Sequence, residues 1–465
     1  MHYLSPEFAL VFLVFIWFYW RVGWRSGPGA QNQVLLIASY LFYASFSWRF
    51  ALILLIFSTV ILGLARLIPD GYGGRRKWPM VLGVILALIN LGVFKYYNFF
   101  REEALYWLAP LFNTASLPAL DLILPVGISF YTFQGLAYLI SIGRGERPPA
   151  SWQHGFLYLS FFPTLLAGPI CRPKELLPQI ESEYDNNIII PDLAFLLLLS
   201  ALIKKVWLAA WLAETWVNPV FANPDGYHAI ELICAVMAYA WQLYFDFSGY
   251  TDLVTALALF LGFQLPRNFN QPYLAKSISE FWQRWHMTLS LWIRDYVYIP
   301  LGGNRGSWAR TQFNVLAAMT ISGLWHGASL TFVLWGVWHG VGVILQNIWQ
   351  KIGFRLPGII AQIVTFIFVC MGWLMFRAED WQSVELFMIG LTDWQTLPRL
   401  NWIGLIVAVL IFFWAATKAD TTLTKGSELL ERWPWWVKSI LLVLSTLLVI
   451  ELSPPGMPGF IYFGF

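Results

Sequence analysis

The residues able to do chemistry gather in the middle of the chain. His286 stands in "FWQRWHMTLSLWIRDYVY", after Trp285 and before Thr288 and Ser290. His326 stands in "SGLWHGASL", between Trp325 and Gly327. Asp246 and Ser248 lie in "YFDFSGYTD", Arg294 and Asp295 are adjacent, and Asn304 falls in "LGGNRG". Most of these groups sit in or against apolar sequence. Placing an ionisable group at the centre of a bilayer costs about 2.5–3.5 kcal/mol on insertion scales. Such groups face a protein interior or a watery cavity, and they pair with one another. The chemistry that would need two imidazoles there is acyl transfer. A hydroxyl is a poor nucleophile at neutral pH, and an imidazole with a pKa of about 7 takes its proton as it attacks a thioester or ester carbonyl. A dry, protein-lined cavity strengthens that interaction and excludes hydrolytic water.

Each residue also has a structural alternative. Arg294 and Asp295 can cap or anchor helix ends. Asp246 can cap a following helix, because its oxygens satisfy free N–H groups there. Either histidine, taken alone, can be a satisfied core imidazole. His339, in the second "WHG", reads as structural support. On one helix, His326 and His339 would lie roughly 140° apart at about 100° per residue, and would not share a site. The chain has no glycine-rich phosphate loop, no HExxH and no GxSxG. It has no His, Cys and carboxylate cluster at metal-ligand spacing, so no metal is expected.

These residues must be positioned by membrane helices. Of 465 residues, 58% are hydrophobic and 12% charged, with mean hydropathy +0.61. A soluble domain carries roughly 25% charged residues, so the bilayer is this chain's solvent. Aromatic residues make up 18% of the chain, 27 of them Trp, a composition that suits membrane interfaces and close helix packing. A net charge of +3 gives no nucleic-acid footprint. Cys171, Cys234 and Cys370 have no paired spacing and read as small buried residues. The first apolar run, 8–20, lacks a basic lead and a cleavage site, and reads as a retained span rather than a signal peptide.

A spanning helix needs about 20 mostly apolar residues. Eleven candidates cover 7–24, 33–48, 50–67, 79–97, 121–142, 193–217, 228–247, 312–346, 357–376, 401–417 and 437–452, of which 312–346 is long enough for two elements or one steeply tilted helix. Pieces at 155–170, 251–264 and 278–300 are short or interrupted by charge. They read as re-entrant or interfacial, which requires protein or a water-lined cavity to satisfy their backbone. Arg21, Arg25, Arg66, Arg75, Arg76, Lys77, Arg144 and Arg147 fall in alternate loops, which places the N-terminus outside. No polar stretch is long enough for a soluble domain. The expectation is one all-α, polytopic membrane domain over 1–465.

Seven stretches in order then carry a resemblance. They are "PVGISFYTFQGLAY", "SFFPTLLAGPICRP", "ALIKKVWLA", "YFDFSGYTD", "FWQRWHMTLSLWIRDYVYIPLGGNRG", "SGLWHGASLTFVLWGVWHG" and the terminal "FIYFGF". The chain resembles the membrane-bound O-acyltransferase (MBOAT) family, most of all its bacterial branch for O-acetylation of exported polysaccharides of the alginate type. It departs from that branch at Ser141, Gly143 and Cys171. The resemblance implies a ring of tilted helices around a thin centre with funnels, and a core motif region at about 125–345. It implies that His326 is the catalytic residue and His286 its second histidine. Trp325, Asp246, Ser248, Arg294, Asp295 and Asn304 are then candidates for the acyl path.

The implied function is a multi-pass inner-membrane O-acetyltransferase with no bound cofactor and acetyl-CoA as donor. The acceptor is a hydroxyl of an alginate- or cellulose-like polysaccharide, reached through the serine of an SGNH or esterase-like extracytoplasmic partner. The rival enzyme reading is D-alanyl transfer for teichoic acid. The rival outside enzymes is a transporter or flippase for a lipid-linked sugar, which would call for paired repeats that the sequence does not show.

Overall fold

The computed structural model describes residues 3–68, 77–108, 118–120, 122–182, 188–394 and 399–454. The terminal "FIYFGF" and the arginines at 75 and 76 lie outside the described residues. Everything regular among those described is helical, as the composition requires. Among the described residues, and with the kinked Pro6–Ala44 taken as one, eight helices are long and apolar enough to cross a membrane, and nine if one bent pair counts as a span. The chain divides into two compact units, 1–191 with 257–266, and 192–256 with 267–465.

In the first unit α1 covers Pro6–Ala44 but is two helices. Gly27 takes a positive φ of 80°, and Pro28 follows it. Only glycine takes that conformation at no steric cost. The chain folds back there, so that Phe8 meets Phe42 at 5.6 Å between ring centroids. The expected spans 7–24 and 33–48 are thus the two limbs of one hairpin. α2 (Trp48–Arg66) and α3 (Trp78–Leu91) follow, then α4 (Ile128–Gly143). α4 is almost wholly buried but has only 16 residues, so the expected span 121–142 is shorter than predicted. The stretch 155–170 is broken into short helices, of which α5 (Trp152–Ser160) is the longest.

The second unit holds the chemistry. α6 runs from Pro191 to Ala201 and continues through a stretch of wider, i+5-bonded helix at Leu202–Ala209. α7 (Ala229–Phe260) is one unbroken helix of 32 residues, the last few of them in the first unit. At about 1.5 Å per residue it is longer than the roughly 30 Å hydrocarbon core. The separate interfacial piece expected at 251–264 is mostly its continuation. α8 (Ile278–Arg284) and α9 (Met287–Ile293) are short and broken at His286. α10 (Trp308–His326) and α11 (Leu330–Lys351) come next, then α12 (Gly358–Arg377). α13 (Leu400–Ala416) bends by 65° into α14 (Ala419–Glu431), and α15 (Trp435–Leu452) closes the described chain.

Of the two readings open for 312–346, two elements or one steeply tilted helix, the structure takes the first, an antiparallel pair, and its glycines explain why. A Cβ on Gly323 would lie 2.2 Å from the carbonyl oxygen of Phe332, and one on Gly336 would lie 2.5 Å from that of Met319. Small residues let two membrane helices approach backbone to backbone. Gly327 opens the turn, where a side chain would strike the Phe332 ring at 2.2 Å. Ser329 then caps α11 by accepting the Thr331 N–H at 3.3 Å.

Candidate active site

His326 is the last residue of α10, at the tip of the hairpin, with only 3% of its surface exposed. Its ring is edge-on to Trp325 at 4.9 Å, Trp335 at 5.0 Å and Phe376 at 5.2 Å. The angle expected between His326 and His339 does not apply, because the two stand on different helices. Trp335 lies against both, since it meets His339 at 4.9 Å. His339 is fully buried, and Trp282, Phe281, Phe368 and Trp373 complete the aromatic surround of its ring.

His286 is fully buried at the break between α8 and α9. It takes a left-handed conformation, φ 41° and ψ 53°. A non-glycine residue held there costs about 1–3 kcal/mol, and such strain persists only where the surroundings impose it. The loop before α8 does so. Asn268 accepts the Met287 N–H on its main-chain oxygen at 2.8 Å, and the Asn270 N–H donates to the Arg284 carbonyl at 2.8 Å.

The Asn268 side chain also fixes the state of the imidazole. Its Oδ1 accepts from the Thr288 main-chain N–H at 3.3 Å and from the Thr288 hydroxyl at 2.8 Å. A main-chain N–H can only donate, so this amide atom is the oxygen. His286 Nδ1, 3.1 Å from the same oxygen, must then carry the proton. In the neutral ring Nε2 is left as the acceptor nitrogen.

The two histidines meet on Trp325. Its indole is 6.0 Å from the His286 ring and 4.9 Å from the His326 ring. Phe247 of α7 closes the other side of His286 at 4.7 Å. Asp246 and Ser248, on either side of Phe247, are both buried. Asp246 sits inside α7 rather than at a helix start, so its expected capping role does not hold. Its carboxylate is paired with the Lys205 ammonium, and both side chains are less than 10% exposed. One and a half turns on, Asp252 accepts from Lys204 and from the Ser200 hydroxyl, each at 2.7 Å. Gly249 lets α7 approach this closely, since a Cβ there would lie 3.0 Å from those of both lysines.

The remaining candidates lie elsewhere. Arg294 is over half exposed and bonds Asp295 at 2.8 Å at the start of the i+5-bonded helical stretch, Arg294–Tyr298, that continues α9. Asn304 is exposed on the turn before α10. Neither Arg294 nor Asn304 belongs to the buried cluster. Asn268, Lys204 and Lys205 were not singled out from the sequence. Two consecutive lysines in an apolar run are a legible signal, because they demand buried acids. Asn268 offers none, lying in a loop without periodicity.

The sequence was also compared with known proteins. The family model for membrane-bound O-acyltransferases matches residues 144–379, which include both histidines. The probable alginate O-acetylase of Pseudomonas aeruginosa is 37% identical over 426 residues, covering 88% of this chain and 79% of that protein. The peptidoglycan O-acetyltransferase of Helicobacter pylori is 32% identical, over 83% of this chain and 79% of its own. The teichoic acid D-alanyltransferase of Bacillus subtilis is 29% identical, over 56% of this chain and 71% of its own. A polytopic helical chain that shares this much sequence with acyltransferases is itself a membrane acyltransferase, and it belongs to the membrane-bound O-acyltransferase family.

Proposed function

We propose that the chain moves an acetyl group from acetyl-CoA on the cytoplasmic side of the bacterial inner membrane toward the outer face, for O-acetylation of an exported, alginate- or cellulose-like polysaccharide. The observation that carries this reading is the pair of buried histidines packed on one indole, Trp325. His326 takes the proton of the acceptor hydroxyl as its oxygen attacks the thioester carbonyl. The new C–O bond forms, the C–S bond breaks, and the imidazolium returns the proton to the departing thiolate. His286 has an acceptor nitrogen at Nε2, which suits it to hold the hydroxyl by its hydrogen. The aromatic walls around both rings exclude water that would otherwise take the acetyl group.

The acceptor of this step is a serine of an SGNH or esterase-like extracytoplasmic partner, which passes the acetyl group to the polymer. Recognising a polysaccharide takes an extended polar groove, and a membrane interior cannot hold one without severe desolvation. An acetyl group fits a narrow protein-lined path. Acetyl transfer is favoured over D-alanyl transfer because the O-acetyl relatives match more of the chain at higher identity. The lipid-linked sugar transporter gives way to the acyltransferase family match.

The donor is tested with the purified chain. Release of coenzyme A from acetyl-CoA is expected in the presence of the partner protein, and none of D-alanine from a carrier-protein thioester. Turnover of the D-alanyl thioester with acetyl-CoA untouched would assign the chain to the rival reaction.

A further inference from the structure

A cavity lies between α11 and α12, and neither His286 nor His326 is among its lining residues. Its volume is about 640 Å³, within the roughly 300–1,000 Å³ range of small-molecule sites. Its walls are one face of each helix, with Leu345 and Trp349 on α11 facing Val364 and Phe368 on α12. Both helices are long and apolar enough to cross the membrane, so the groove opens sideways into lipid. Leu345 is 47% exposed and Trp349 42%, which places lipid tails at its edge.

One end of this apolar groove is cationic. Lys276 and Arg355 both line it and both are exposed. Neither side chain has a hydrogen bond or ion-pair partner among the described residues. The acid close by in sequence, Glu280, is engaged otherwise. It accepts the Lys276 main-chain N–H at 2.8 Å and pairs with Arg284 at 2.7 Å.

The same end of the hairpin carries further positive charge. Gln312 and Asn347 bond at 2.8 Å, which sets the start of α10 beside the end of α11. That brings Arg305 and Arg310 to the level of Lys351, whose ammonium rests 5.3 Å from the Trp308 ring. Such an excess of Lys and Arg marks the cytoplasmic side of a membrane. Anionic lipids are concentrated in that leaflet, and basic pockets between membrane helices bind their head groups.

We infer that the groove between α11 and α12 is a binding site for an anionic phospholipid of the cytoplasmic leaflet. The phosphate lies between Lys276 and Arg355, and an acyl chain lies along Trp349 and Leu345 toward Phe368. An uncharged lipid fills the apolar part equally well but leaves the two cations uncompensated, and a zwitterionic one offers the same phosphate but adds a cation of its own beside them.

The test uses the full chain, purified in neutral detergent and stripped of lipid. Binding of phosphatidylglycerol and phosphatidylcholine is then compared by native mass spectrometry. Selective retention of phosphatidylglycerol is expected. At about 1 kcal/mol per cation, the double variant K276Q/R355Q should weaken it by about 30-fold, while K276R/R355K keeps it. Ala361→Trp fills the groove with both cations intact, and should lose the lipid as well. That variant carries the test alone if K276Q/R355Q does not accumulate. Equal binding of the two lipids, or unchanged binding in either groove variant, overturns the proposal. So does displacement of phosphatidylglycerol by coenzyme A or inorganic phosphate, which would assign the cations to a soluble phosphate.

Discussion

His326→Ala is expected to lower acetyl transfer by about 10²–10⁴-fold, the usual cost of losing a general base. The protein should still insert and accumulate. Alanine also leaves a cavity among Trp325, Trp335 and Phe376, so a loss of activity alone does not separate chemistry from packing. His326→Phe separates them. It keeps an aromatic ring in the same surround and removes the base. A packing residue tolerates that change, whereas a base does not. Initial rates with labelled acetyl-CoA are measured alongside thermal unfolding in detergent. A well-folded Phe variant with near wild-type rate would remove His326 from the mechanism.

The second large effect is on stability. Lys205 and Asp246 form a buried pair on α6 and α7, beside Phe247, which packs on His286. Removing one member of a buried pair costs roughly 3–5 kcal/mol, because the other charge stays buried without it. Replacing both by apolar residues is often close to neutral. Lys205→Met and Asp246→Leu are each expected to lower thermal stability sharply, and the double variant should recover most of the loss. Unfolding of the four proteins in one detergent gives the coupling directly. Losses that add in the double variant would show that the two groups do not depend on each other.

The all-helical membrane class was legible from composition, because so little charged surface admits no other solvent. Most spans were legible by length. The length of 312–346 allowed two elements or one tilted helix, and the place of the turn was not legible, although its signals are present. Gly327 and Ser329 are a stop and a cap, but apolar sequence on both sides masks them and no proline marks the break. Asp246 was legible as a group in need of a partner. Its partner lies 41 positions away on another helix, a separation that helical periodicity does not bridge. For His286 the type and setting were readable, while its tautomer depends on Asn268, placed by a loop with no repeat in its pattern. Arg294 and Asn304 stand beside the right motifs in sequence, yet their backbone carries them to the surface.

The vectorial relay is tested most directly in sealed proteoliposomes that hold the chain in one orientation. Acetyl-CoA labelled on the acetyl group is supplied on the face corresponding to the cytoplasm. The partner protein and polymer are present only on the other face. Label is expected on the polymer with the wild-type chain and a partner that has its serine. It should be absent with His326→Ala, and absent when the partner's serine is replaced by alanine. Efficient labelling of polymer by this chain with no partner present would contradict the relay and make the chain the terminal transferase.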